Sequence, residues 1–121
     1  MGRSIVCHVD EAPWVLGGPR EQGQARPRGT QLAIEEPEGP RVTITSWPPH
    51  HVVDPHSHSV YEVLHIIEGE IVLVDRQCGP GTLIYMDKDT EYSFATGPDG
   101  VRFVGYRPKR PETRHGGTPS E

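Results

Sequence analysis

His56, His58 and Glu62 fall in the run D-P-H-S-H-S-V-Y-E-V-L-H-I-I-E-G, just ahead of an alternating apolar stretch that closes on Gly69. Along an extended chain the three share one parity, so two imidazoles and a carboxylate can converge on one point. Two neutral nitrogen donors and one hard oxygen suit Fe(II), Mn(II), Ni(II), Co(II), Cu(II) or Zn(II) better than Ca(II). Three protein ligands leave positions open for water, dioxygen or a chelating substrate, whereas a structural zinc site is normally closed by four. The two cysteines, Cys7 and Cys78, form no C-x-x-C pair and argue against a sulfur-rich site. A solvated polar row on a sheet would share the same parity, but it would not explain the choice of residues.

Those side chains need a scaffold, and 121 residues supply one domain and no second core. With 17 acidic against 12 basic residues, the formal charge of -5 offers no field for nucleic acid or an anionic membrane. Arg107, Lys109 and Arg110 read as a solvated basic cluster near the end. No apolar run is long enough to span a membrane, and residues 1–25 lack the apolar core of a signal peptide. Sparse cysteines read as reduced thiols. The expectation is a cytoplasmic protein.

Ile5–Val9 reads as a short strand, Trp14 as an aromatic anchor, and the glycine- and proline-rich stretch 17–29 as a loop or flap. Strands are expected at 30–35, 41–47, 60–67, 70–76, 82–86, 91–95 and 101–106, separated by E-G-P, W-P-P, E-G, G-P-G and G-P-D-G turns. No sustained helical period interrupts them, which predicts an all-β sandwich or barrel. The organisation expected is a strand and flexible segment over 1–29, a barrel over 30–108 and a flexible tail over 109–121. In the strand after His58, Glu62, Leu64 and Ile66 face inward. The opposite face, Val63, His65 and Ile67, is too apolar to be freely solvated and predicts a second sheet or a homodimer contact.

The chain resembles a small, single-domain cupin, a family of jelly-roll β-barrels. Its first motif, H-x-H, three residues, E, six residues, G, is met position for position by His56, His58, Glu62 and Gly69. The second usually opens with a Pro-Gly turn, and Pro80-Gly81 supplies it. Thr82 stands where Asp is common, Asp87 where Pro is common, and Tyr92 where a fourth metal-binding histidine is expected. The resemblance implies one divalent transition metal, with Fe(II) slightly favoured. A phenol with a reference pKa of about 10 is a weaker ligand than imidazole. Tyr92 therefore ligates as phenolate, acts as a hydrogen-bonding acid or base beside the ion, or fills the barrel beside a weakened site.

Around this centre, His50 or His51 can line the mouth, and Tyr85, Tyr106 and Trp47 can frame a cavity or simply pack. Arg41 or Arg102 can anchor a carboxylate if inward-facing, although surface exposure is the default. Asp87 and Asp89 read as solvated turn residues, and no Ser-His-Asp arrangement, Cys-His couple or phosphate loop is recognisable. The functional expectation is a metal-dependent enzyme acting on a small oxygen-bearing organic molecule, dioxygenase-, isomerase- or cyclase-like, with Tyr92 moving a proton. The alternatives are a non-catalytic cupin that binds or senses a small molecule, and a purely structural oligomer.

Overall fold

The computed structural model describes residues 2–24 and 26–115. Its strands are β1 (Trp14–Gly18), β2 (Arg28–Glu35), β3 (Arg41–Trp47), β4 (Val52–His58), β5 (Glu62–Leu73), β6 (Arg76–Cys78), β7 (Leu83–Met86), β8 (Tyr92–Arg107) and β9 (Thr113–His115). They form one antiparallel nine-stranded sheet, in the order β1-β2-β3-β8-β4-β9, with β5 joining β6, β7 and β8. The sheet folds as a jelly roll, and the all-β expectation holds.

Period-two patterning accounts for the core. Glu62, Leu64 and Ile66 are buried along β5 while His65 and Ile67 point outward. Leu64, Ile66, Ile71, Phe94, Val101 and Phe103 pack together with Cys78 and Met86. Both cysteines are free thiols.

Several expectations change: Trp14–Gly18 and Val52–His58 are strands where none was expected, and the ends of the expected 17–29 loop pair with each other, Gly17 opposite Gly29. Ile5–Val9 is not a strand; instead Val9–Glu11 forms a 3-10 turn. The His8 ring accepts from the Asp10 N–H, and Glu11 reaches back to the His8 N–H, so side chains satisfy the backbone in place of a partner strand. The E-G pair at residues 68–69 does not end a strand, because β5 runs through it to Leu73. The tight turn falls at Val74 and Asp75, both with positive φ, which suits a primed hairpin turn but lacks the usual Asn-Gly signature. Likewise G-P-D-G lies inside β8, whose first part pairs with β4 and whose last part pairs with β3. Finally, Thr113–His115 add a strand to β4 where a tail is expected, and residues 116–121 lie outside the described residues.

Candidate functional site

The site forms where β4, β5, β8 and β9 meet. Strand β4 carries His56 and His58, β5 opens on Glu62, and β8 opens on Tyr92 and ends on Arg107. Antiparallel register sets His56 opposite Tyr92 and His58 opposite Thr113. Tyr106 lies opposite Val63, which brings the neighbouring Arg107 beside Glu62. Pro55 falls within the register shift between Val53 and His56, the kind of irregularity that tolerates a residue without an N–H.

Glu62, only 1 % exposed, is the hub. The Tyr92 hydroxyl donates to its Oε1, and Arg107 Nη2 lies 2.6 Å from its Oε2. This ion contact is close but poorly aligned, so neither Glu62 Oε2 nor Arg107 Nε completes a hydrogen bond of good geometry. His58 Nε2 is 4.0 Å from Glu62 Oε1 and 3.4 Å from Arg107 Nη2. Since a guanidinium can only donate, His58 Nε2 accepts, and Nδ1–H is assigned as donor to Thr113 Oγ1 at 2.9 Å. The His56 ring meets the Tyr92 ring at 4.4 Å between centroids, and its Nδ1 lies 2.9 Å from the Asp54 carbonyl oxygen.

Burial is the main cause that pushes the Tyr92 phenol well above its ordinary pKa; the Glu62 charge and hydrogen bond add to it, and Arg107 opposes it. The neutral phenol is thus the favoured form here. Because the folded pKa is raised, this residue's contribution to stability is intact below the unfolded value of about 10 and is lost as pH rises above it. Denaturant titrations across that range should show a steeper alkaline loss for the wild type than for Tyr92→Phe. Parallel curves would show that Tyr92 ionises as easily in the folded chain as in the unfolded one.

A cavity of about 760 Å³ opens beside this hub. Leu32, Leu64, Trp47, Phe94 and Phe103 give it apolar walls, while Thr30, Thr43, Thr45, His51, His56 and His58 give it polar ones. Trp47 stacks on His51 at 4.6 Å between centroids. Burial and then the Arg28 charge hold the His51 imidazole below its usual pKa, against the opposing Asp54.

Two arginines correct the expectation of surface exposure. Arg41 and Arg107 are cross-strand partners on β3 and β8, each side chain is 16 % exposed, and both line the cavity. Arg41 is ion-paired with Glu35. Their buried role was invisible locally, because each is neutralised by a glutamate that only strand pairing brings near. Arg102 instead faces Glu68 at 3.8 Å. Tyr85 and Tyr106 form an outer aromatic group with Tyr61, His50 is exposed, and Asp87 and Asp89 are exposed turn residues.

Among the described residues, no group of three or more His, Cys, Asp or Glu side chains is arranged to hold a metal ion. The bend at residues 59–61, between β4 and β5, brings His58 to Glu62, but the space between them adjoins a permanently charged guanidinium, and Tyr92 approaches Glu62 as a proton donor. The donor set as arranged does not fit a divalent ion.

The fold is a small cupin-like jelly roll, with a polar hub at one wall of its cavity. No protein-family model matches the chain, and no curated protein matches it. Solved structures do. The polyketide cyclase RemF from Streptomyces resistomycificus is 22 % identical, with a TM-score of 0.70 over 100 % of this chain and 89 % of its own. A candidate acetylacetone dioxygenase from Methylibium petroleiphilum PM1 is 13 % identical, with a TM-score of 0.72 over 100 % and 88 %. An RmlC-like cupin from Shewanella frigidimarina is 11 % identical, with a TM-score of 0.69 over 90 % and 93 %. At these identities the likeness shows the fold alone. No helix among the described residues is long and apolar enough to cross a membrane.

Proposed function

We propose that this cupin is an enzyme of the cyclase or isomerase type, acting on a small oxygen-bearing organic molecule inside the barrel. The observation that carries this is the juxtaposition of Glu62, Tyr92, His58 and Arg107 at the wall of an amphipathic cavity. A volume of about 760 Å³ lies within the range usual for small-molecule sites. The names of two neighbours, a polyketide cyclase and a candidate acetylacetone dioxygenase, lend support to a carbonyl-rich ligand.

The chemistry needs only groups that the chain supplies. Glu62 or His58 takes a proton from carbon next to a carbonyl, and the C–H electron pair becomes the enolate double bond as the carbonyl electrons move to oxygen. Arg107 stabilises that oxygen's negative charge. For an α-hydroxy ketone, passing the hydroxyl proton to the enolate oxygen and returning the first proton to the former carbonyl carbon moves the carbonyl to the neighbouring carbon and gives an isomer. Attack of the enolate carbon on a second carbonyl gives a ring, with Tyr92 protonating the new alkoxide. The exposed Ile67, Leu83, Tyr85 and Tyr106 support the homodimer as part of this proposal.

The test is solvent-deuterium uptake into a panel of α-hydroxy ketones and cyclic β-diketones, followed by NMR against the uncatalysed rate. Wild-type protein should accelerate uptake for at least one compound, and Tyr92→Phe and Glu62→Gln should each slow it by about 100-fold or more. Saturable binding without accelerated exchange would overturn the proposal in favour of a non-catalytic binding cupin. That alternative draws its support from the engagement of both Glu62 oxygens, by Tyr92 and by Arg107.

A further inference from the structure

We infer that Arg107 takes the place of the metal ion, so that the cation on which His58 and Glu62 converge belongs to the chain. Arg107 Nη2 lies 2.6 Å from Glu62 Oε2 and 3.4 Å from His58 Nε2, while those two side chains approach within 4.0 Å of each other. The guanidinium thus contacts two of the three residues whose spacing suggests a metal centre. Glu62 has its negative charge met by this contact, in a setting where an unpaired buried carboxylate would be costly.

The fourth position agrees. Tyr92 occupies the place where a fourth donor would be expected, and its hydroxyl donates to Glu62 Oε1. That contact keeps the phenol protonated, and a neutral phenol is a far weaker ligand than a phenolate or an imidazole. A divalent ion bound to Glu62 and His58 at ordinary bond lengths of about 2 Å would sit against the guanidinium. Arg107 cannot relieve that repulsion by losing a proton, since its pKa lies beyond the physiological range. The side chain is also held: it ends β8, is largely buried, and is backed across the sheet by β3.

The consequence is a site whose cation is built into the chain and already paired with Glu62. It does not depend on metal supply, and the guanidinium N–H groups not spent on Glu62 are left to meet a ligand oxygen. The inference concerns the cation rather than the reaction, so it stands or falls apart from the enolate chemistry above.

Cobalt(II) is the probe, because its visible absorption reports ligation without requiring turnover. The full chain and the variants Arg107→Ala, Arg107→Gln and Arg107→Lys would be titrated after metal removal. Wild type and Arg107→Lys should show no saturable cobalt band, whereas Arg107→Ala and Arg107→Gln should gain a one-to-one site at least about 100-fold tighter. Equal and saturable binding by wild type and Arg107→Ala would overturn the inference. So would binding by Arg107→Lys as tight as by Arg107→Ala, which would show that charge is not what excludes the ion. If the neutral variants do not fold, elemental analysis of wild-type protein reconstituted with each candidate metal decides: about one ion per chain overturns the inference, and a trace supports it.

Discussion

Glu62→Ala is expected to destabilise the protein by about 3–5 kcal/mol, the range seen when one partner of a buried ion pair is removed. Glu62 is 1 % exposed and receives the Arg107 guanidinium and the Tyr92 hydroxyl. Truncation leaves a buried cation and a buried phenol without their acceptor, and opens a void at the cavity wall. Urea denaturation of Glu62→Ala, Arg107→Ala and the double variant separates these terms. The double variant should be destabilised by less than the sum of the singles, because losing both charges removes the uncompensated one. A loss below about 1 kcal/mol for Glu62→Ala would mean that the pair behaves as a solvent-screened contact.

Gly69→Ala should cost about 2–5 kcal/mol although it adds only one methyl group, through left-handed backbone strain of about 1–2 kcal/mol and overpacking of about 1–3 kcal/mol. Gly69 has φ +70 and pairs with Val101, and a Cβ there would overlap the carbonyl oxygen of Gly100 on β8. Relief would require moving the backbone where β5 and β8 close together. Gly81→Ala provides the control. Its φ of +88 imposes similar conformational strain, but a Cβ would meet nothing within 4 Å, so a loss near 1 kcal/mol is expected. Equal thermal and urea midpoints for the two variants would show that the Gly100 carbonyl does not constrain the strand.

The strand patterning was readable because it is local. Glu62, Leu64 and Ile66 lie two residues apart, and an extended chain must send them to one side. Gly69 marked a backbone position that no side chain fits, whereas His58 and Glu62 meet because residues 59–61 turn β4 into β5. Turns were readable only where the chemistry was conventional. Pro80-Gly81 behaved as a turn, whereas Val74-Asp75 adopted positive φ without a residue that advertises it, and the glycines at 69 and 97–100 served continuous strands. His8 ended a strand expectation through its own side-chain hydrogen bonds, a competition that apolar content alone does not register.

By itself, then, the sequence determined an all-β sandwich or barrel and the inward face of β5, since both follow from the two-residue repeat of an extended chain, while the jelly roll was implied only by the resemblance to cupins. Only the tertiary structure decided what Glu62 meets. Arg107 reads locally as the start of a solvated basic cluster, and Arg41 as a surface cation; pairing of β8 with β3 and β5 carries both to the cavity wall and sets Arg107 against Glu62. Charge neutralisation between residues far apart in the chain leaves no periodic trace, because it depends on which strands become neighbours rather than on the order of residues within either one.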